Sequence, residues 1–256
     1  MFKTIRISVL LLILVFVSVS TWLTQARSTD WNNSLWVKIY PINGDGNGDV
    51  DEYIASLKPE DFQSIESFIE REIHRYGRSL DRPVRMELGR PVAEHPPSLA
   101  NDPSLPRIML WSLKLRWWAR KVAKGQDDPA PDVRIFVRYY SPGDDVMLEN
   151  SVGMQKGMVG VVNAFADRRQ AETNNVVIAH EFLHTLGATD KYEPGTGQPI
   201  YPSGYAEPER TPLLPQRYAE IMGGRIAGSK LDAMMPMSLS YVVIGPETAS
   251  EIRLTE

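Results

Sequence analysis

Apolar and polar positions along the chain follow the periods of helices and strands in turn. Helical spacing of apolar side chains predicts one helix over residues 59–76, ended by Gly77, and a second over residues 107–124. Runs with strand character precede and follow these helices, and a short helix closes the chain at residues 246–254. The predicted strands cover residues 35–40, 84–88, 132–140 and 157–166. A chain of 256 residues with this pattern can bury one sizeable core.

A further helix is predicted over residues 175–186, a run without proline or glycine. Thr173 and Asn174 are suitable N-caps. Gly187 is the expected terminator, because glycine adopts the left-handed conformation without steric cost. The predicted apolar face of this helix consists of Val176, Ala179, Leu183 and Leu186.

Four ionisable side chains on and just beyond this helix form a pattern typical of a metal site. His180 and His184 are four residues apart, so they share a helix face and can reach one ion together. Glu181 is rotated by about 100° from His180, close enough to touch a metal-bound water without binding the metal. The sharp exit at Gly187 can bring Asp190 back toward the histidines. The pattern predicts the chemistry of a zinc hydrolase.

Composition restricts the other chemistries. The chain has no cysteine, which excludes disulfides, thiolate metal sites and cysteine nucleophiles, so any metal must be bound by nitrogen and oxygen ligands. A formal net charge of -4 without a strongly basic domain argues against a nucleic-acid partner. The glycine-rich residues 43–51 match a calcium loop only in part, because Ile54 stands where the bidentate glutamate should be. We predict a solvated turn there.

The N-terminal residues have the features of a targeting segment. Lys3 and Arg6 precede an apolar run over residues 7–23, which is followed by polar residues. The run is near the minimum length that crosses a bilayer. Residues 1–27 are therefore expected to be either a cleaved signal peptide or an uncleaved N-terminal membrane anchor. Residues 28–256 would then form an extracytoplasmic domain that is secreted, periplasmic or held at the membrane.

The sequence from His180 to Asp190 reads H-E-x-x-H-x-x-G-x-x-D and resembles the metzincin clan of zinc peptidases. It is most similar to members with aspartate as the third zinc ligand, such as immune-inhibitor-A-type and snapalysin-type peptidases. The ending Asp190-Lys191-Tyr192 is similar to a D-x-Y ending found in several such families. The resemblance covers residues 157–224 in ordered motifs.

This resemblance implies an α+β, zincin-like fold, in which a twisted mixed sheet carries the active-site helix above a small irregular C-terminal lobe. The strand within residues 157–166 would be the sheet edge, able to pair with an extended peptide by strand addition. Metzincins also place a methionine turn beneath the zinc. Met222 fits that position, and Met235 is a second possibility.

The third ligand has rivals. The chain has four histidines, and His74 and His95 lie far upstream of the motif. Asp190 is the choice that the resemblance favours for a single zinc ion. Glu193 is one rival, and Glu220 is another if the layout is that of thermolysin-type enzymes.

Together these features predict an extracytoplasmic zinc-dependent metallopeptidase, with Glu181 as general base and a peptide or protein as substrate. A tyrosine of the C-terminal lobe would assist, and the candidates are Tyr205, Tyr218 and Tyr241. The alternative function is a non-catalytic, metzincin-like zinc-binding scaffold for binding or assembly at the cell envelope. A third hypothesis rests on the helix over residues 107–124, where tryptophans lie among basic residues. Packing against the sheet with a solvated basic edge is the predicted arrangement, and binding to a membrane surface is its alternative.

Overall fold

The structure is a computed structural model that describes residues 6–7, 11–12, 15, 30–99, 104–126, 129–143, 151–155 and 157–255. Its centre is a five-stranded mixed sheet with the spatial order β2-β1-β3-β5-β4. The strands are β1 (Leu35–Asn43), β2 (Val84–Leu88), β3 (Val133–Tyr140), β4 (Val152–Met154) and β5 (Val159–Phe165). Strand β4 is antiparallel to its neighbour, whereas the other pairs are parallel. The predicted α+β class with a mixed sheet is confirmed.

Helices cover both faces of this sheet. They are α1 (Gly48–Ala55), α2 (Gln63–Arg75), α3 (Leu105–Val122), α4 (Ala171–Leu186) and α5 (Pro246–Glu251). Because side chains alternate along a strand, Ile135 and Val162 belong to the larger apolar core together with α2 and α4. Phe136 and Val161 belong to a smaller core on the other face, which α3 covers.

The chain after α4 forms an irregular lobe built from short pairs. Strand β6 (Ala219–Glu220) pairs with β9 (Val242–Val243), and β7 (Ile226–Ala227) pairs with β8 (Ala233–Met234). Short 3₁₀ turns occupy Pro59–Phe62, Arg168–Gln170 and Leu239–Tyr241. The predicted closing helix is present as α5, although it ends at Glu251.

Three local predictions need correction. The glycine-rich stretch turns as expected, but α1 follows it at once, with the Asn47 side chain accepting a hydrogen bond from the Asp49 amide at 3.0 Å. Helix α3 begins at Leu105, earlier than predicted, because a proline is tolerated in the first helical turn. Helix α4 begins at Ala171, so the two predicted N-caps lie inside it. Asn174 instead donates a hydrogen bond to the carbonyl of Phe165 at 2.9 Å, which ties the helix to β5.

The sheet edge was also predicted wrongly. Strand β5 has neighbours on both sides, because β4 pairs with it through the registers Val152↔Val161 and Met154↔Val159. The outer strand on this side of the described sheet is therefore β4. With only three residues it is too short to give a periodic signal in the sequence.

The predicted signal peptide or anchor, residues 1–27, lies outside the described residues except for residues 6–7, 11–12 and 15. The division into residues 1–27 and 28–256 stays a prediction. Among the described helices, none combines the length and the apolar character needed to cross a membrane.

Candidate metal centre

Helix α4 is held against the sheet by its apolar face. The predicted face, which consists of Val176, Ala179, Leu183 and Leu186, is buried. Gly187 ends the helix with φ at +113°, and the amides of Gly187 and Ala188 both donate to the Leu183 carbonyl at 3.1 Å. This left-handed exit reverses the chain and directs residues 188–190 back over the exposed side of the last helical turn.

Three ligand-type atoms meet where the chain doubles back. The Nε2 atoms of His180 and His184 are 3.1 Å apart. The Oδ1 atom of Asp190 lies 3.1 Å from each of them. The structure thus brings together the two histidines and the aspartate that the sequence pattern singled out.

Hydrogen bonds of the imidazoles fix which nitrogen carries the proton. His180 Nδ1 lies 2.8 Å from the Ile221 carbonyl, and His184 Nδ1 lies 2.8 Å from the Ala188 carbonyl. A carbonyl oxygen can only accept a hydrogen bond, so each Nδ1 carries a hydrogen. In the neutral rings both Nε2 atoms then point unprotonated lone pairs at one another and at a carboxylate oxygen. Such an arrangement needs a positive charge at its centre.

The spacing of these atoms suits a zinc ion. Ligands about 2.0–2.1 Å from a tetrahedral zinc lie about 3.3–3.4 Å from one another. The three observed separations of 3.1 Å are close to that value. Two imidazoles and a carboxylate are also a donor set that zinc accepts. The residues present therefore fit a zinc ion.

Glu181 completes the group. His180, Glu181 and His184 offer ligand-type atoms that lie within 4.8 Å of one another, a cluster that could hold a metal ion. The Glu181 side chain is buried, and its Oε2 atom has no hydrogen-bond partner among the described residues. Burial raises the pKa of Glu181, and the neighbouring histidines oppose that rise. A buried carboxylate oxygen without a partner is expensive to maintain, which is common in groups that act on a ligand.

The charges of the cluster favour a cation. Burial alone would lower the pKa of His180, but the hydrogen bond that its protonated ring donates to Asp190 and the charge of Glu181 outweigh burial and raise that pKa. Burial would raise the pKa of Asp190, yet the bonds to both histidines hold it far below its usual value. The protein environment therefore stabilises one positive charge among these side chains, whether proton or metal.

The turn that contains Met222 contacts His180 through its backbone. Met222 is fully buried, whereas Met235 is 42% exposed. The assignment of Met222 as the methionine beneath the metal stays a prediction. Its neighbour Ile221 provides the carbonyl that orients His180. The Met222 carbonyl accepts a hydrogen bond from the amide of Lys191, beside Asp190, at 2.9 Å. One turn thus contacts both the helix and the loop that carry the candidate ligands.

Glu220 supports this turn and does not face the histidines. Its fully buried carboxylate accepts hydrogen bonds from the amides of Met222, Gly223 and Gly245, and from the Thr248 hydroxyl, at 2.7–2.9 Å. Both of its oxygens are therefore directed toward backbone amides and the Thr248 hydroxyl. Glu193 is exposed, and its amide and carbonyl bond within the turn that follows it. Neither rival carboxylate occupies the place that Asp190 has.

Glu251 holds the loop that delivers Asp190. Its carboxylate accepts hydrogen bonds from the amide of Thr189 at 3.0 Å and from the Thr189 hydroxyl at 2.5 Å. It also pairs with the ammonium of Lys191 at 2.7 Å, and that lysine side chain is only 2% exposed. Both residues that flank Asp190 in sequence are thereby fixed to α5. Neither Glu251 nor Lys191 could be identified from the sequence, because a single ion pair between residues 60 positions apart leaves no local pattern.

Tyr192 lies beside the cluster. Its ring centroid is 6.3 Å from that of His180. Burial, followed by the charge of Asp190, raises its pKa. The tyrosines expected to assist catalysis lie elsewhere in the lobe: Tyr205 packs on Tyr201, and Tyr218 and Tyr241 are 38% and 49% exposed. Their assisting role stays a prediction. The position of Tyr192, two residues after Asp190, was the sequence signal that could have identified it as a neighbour of the cluster.

Comparisons with known proteins give little guidance. No protein-family model matches the chain. No curated protein matches it. Among solved structures, catalytically inactive OgpA from Akkermansia muciniphila, in complex with an O-glycopeptide (glycodrosocin) substrate, matches with a TM-score of 0.35 and 12% identity. The match covers 85% of this chain and 58% of that one, so this chain spans less than two thirds of its length. A likeness of this size supports no conclusion about function.

Proposed function

We propose that the protein is a zinc-dependent metallopeptidase of the metzincin type. One observation carries the proposal: His180 Nε2, His184 Nε2 and Asp190 Oδ1 lie 3.1 Å from one another, beside a buried carboxylate oxygen of Glu181 that has no hydrogen-bond partner among the described residues. The charged and apolar N-terminal residues support an extracytoplasmic place for this domain.

His180, His184 and Asp190 would hold the zinc ion. When bound, zinc supplies Lewis-acid activation of a water molecule and of the scissile carbonyl group. The hydrogen bonds of both Nδ1 atoms to backbone carbonyls keep the imidazoles in the tautomer and orientation that this role requires. Glu251 and the turn at Ile221 keep the aspartate loop and the helix in register with each other.

Glu181 would act as the general base. Its free Oε2 takes a proton from the attacking water as the water oxygen forms a bond to the carbonyl carbon. The same carboxyl then gives that proton to the leaving nitrogen as the C–N bond breaks. Its raised pKa, caused by burial, suits a group that must both accept and release a proton near neutral pH.

Strand β4 offers the place for the substrate backbone. It forms the outer strand of the described sheet beside α4, and Gly153 lies so close to that helix that a Cβ there would meet the Glu181 carbonyl at 2.4 Å. An extended peptide added to the outer side of β4 would therefore pass next to Glu181.

The proposal is tested by metal analysis and by cleavage of a mixed peptide library. We expect one zinc per chain, and cleavage that stops with a chelator and returns with zinc. Glu181→Gln should keep the zinc and lose at least about 10²-fold in activity, the usual contribution of a general base. Glu172→Gln is the matched control, because Glu172 is an exposed residue in the first turn of the same helix.

Two results would contradict the proposal. A fully active Glu181→Gln variant would exclude Glu181 as the base. A chain that binds one zinc but cleaves no peptide in the library would instead support the non-catalytic scaffold.

A further inference from the structure

Helix α3 has two apolar faces, and the sheet covers only one of them. The inner face, which includes Leu115, Trp118 and Ala119, is buried in the smaller core. The sequence-based expectation that this helix packs against the sheet is met by that face. On the outer side, five large apolar side chains are more than half exposed: Leu105, Met109, Leu110, Leu113 and Trp117.

These exposed side chains form a continuous stripe. At about 100° per residue, Met109, Leu113, Trp117 and Leu110 fall within an arc of roughly 100° on the side opposite the buried face. Scattered exposed apolar residues are normal on a protein surface, but a contiguous stripe of large side chains marks an interaction site.

The stripe is bordered by positive charge. From Ser104 to Gln126 the chain has six basic residues and no acidic one, although its formal net charge is -4. On the helix, Arg116 lies on one side of the stripe, and Lys114 and Lys121 lie on the other. Lys121 pairs with the half-exposed Glu94 at 3.0 Å, and Arg120 lies at the end of the stripe itself, in the last turn. A long apolar stripe with cations at its sides and end is the pattern of a helix that lies in the plane of an anionic lipid surface.

The charge distribution on the outer face of α3 favours an anionic bilayer over a second copy of the chain as its binding partner. Two copies of the chain packed through α3 would bring their cations against each other, which disfavours self-association. An anionic bilayer offers headgroups for the cations and an acyl boundary for the leucines and Trp117, and it requires no matching shape. The helix is also too polar to cross a membrane, so it would lie on the surface.

We propose that the outer face of α3 docks on anionic phospholipid membranes. Met109, Leu110, Leu113 and Trp117 enter the boundary between headgroups and acyl chains, and the flanking cations contact lipid phosphates. This inference does not depend on the proposed peptidase activity. Arg116 lies against Gly157, just before β5, so a docked helix would hold the edge of the sheet beside the metal centre close to the membrane surface.

The absence of cysteine from the chain gives a clean test. The full chain is prepared with Leu113→Cys and labelled with a polarity-sensitive fluorophore. It is then reconstituted into vesicles of neutral phospholipid, or of the same lipid with an anionic fraction. We expect the label to shift to the blue and to be quenched by nitroxides on lipid acyl chains in anionic vesicles, and to remain aqueous in neutral ones. Leu231→Cys is the control, because Leu231 is 92% exposed in the C-terminal lobe and should stay aqueous in both.

Neutralising two cations of α3 tests the electrostatic part of the proposal. Lys114→Gln with Arg120→Gln should lower the ratio of docked to undocked label by roughly thirtyfold, which corresponds to about 1 kcal/mol per cation near the surface. Lys230→Gln with Arg85→Gln makes the same change in net charge at exposed positions outside α3 and should have little effect.

The Leu231→Cys control distinguishes insertion of α3 from attachment through the N-terminal segment, because that segment is the same in both labelled chains. A label at position 113 that stays aqueous in anionic vesicles would overturn the proposal. So would equal burial in neutral vesicles, or a blue shift without lipid that grows with protein concentration, which would indicate a second copy on this face.

Discussion

The ion pair between Glu251 and Lys191 can be changed to test how the loop that carries Asp190 is held in place. Replacing Glu251 with alanine removes three hydrogen bonds to Thr189 and Lys191. It also leaves the ammonium of Lys191, 2% exposed, with the Thr189 carbonyl at 3.1 Å as its remaining described partner. We expect both the stability of the fold and the affinity for zinc to fall.

The size of the effect follows from burial. Removing one partner of a fully buried ion pair costs about 3–5 kcal/mol. The Glu251 side chain is 23% exposed, so water can enter after truncation, and part of the lysine's hydrogen bonding remains. We therefore expect a loss of about 2–3 kcal/mol in the free energy of unfolding. Loss of support for a ligand-bearing loop should weaken zinc binding by about 10–100-fold.

A double variant separates the buried charge from the lost packing. Glu251→Ala with Lys191→Met removes the uncompensated ammonium, so it should be more stable than Glu251→Ala alone. Urea unfolding with chelator present gives the stability of the fold, and zinc competition with a chromophoric chelator gives the affinity. Glu247→Ala, on the exposed side of the same short helix, is the control for loss of a carboxylate from α5.

The pH dependence of this difference has a definite sign. Burial alone would raise the pKa of Glu251, but its hydrogen bonds to Lys191 and Thr189 outweigh burial and lower the pKa from 4.5. A carboxyl with a lowered pKa in the folded state contributes stability that is fully present above 4.5 and is lost as the pH falls through its folded pKa. The stability difference between the unmodified chain and Glu251→Ala should therefore be constant near neutral pH and shrink in acid. A double variant that is less stable than Glu251→Ala, or a difference that grows in acid, would refute this reasoning.

Two further substitutions test the residues that hold the candidate metal centre in place. Glu220→Gln places an amide where three backbone amides and a hydroxyl donate, so we expect the free energy of unfolding in urea to fall by about 2–4 kcal/mol and zinc binding to weaken. Unchanged zinc affinity would show that this turn does not position His180. Gly153→Ala adds a Cβ 2.4 Å from the Glu181 carbonyl and 2.5 Å from His184 Cβ, so it should displace β4 and lower peptide cleavage at least tenfold. Gly195→Ala is the control, because a Cβ at position 195 meets open space and should leave cleavage unchanged. A Gly153→Ala variant that cleaves peptides with unchanged kinetics would contradict substrate binding along β4.

The sequence predicts best what local geometry decides. The rotation per residue of an α-helix places His180 and His184 on one face, and the left-handed glycine after the helix turns the chain back toward them. Both placements follow from the spacing of residues in the sequence. The strands of the sheet are long enough to show their period, with the exception of β4. Three residues give no period, and the error at the sheet edge came from that missing strand.

What the sequence could not reveal is how the candidate ligands are held. The His180 imidazole is oriented by a carbonyl 41 residues away, and Asp190 is flanked by residues tied to a glutamate some 60 residues downstream. In the sequence, Glu251 and Glu220 look like any solvated glutamate. Only the folded chain shows that Glu220 is fully buried and that Glu251 pairs with the buried Lys191. A motif therefore predicts which atoms can meet around an ion, whereas the long-range carboxylates determine whether those atoms stay in place before the ion arrives. Variants of Glu251 and Glu220 that retain the whole motif but lose zinc affinity would separate these two requirements.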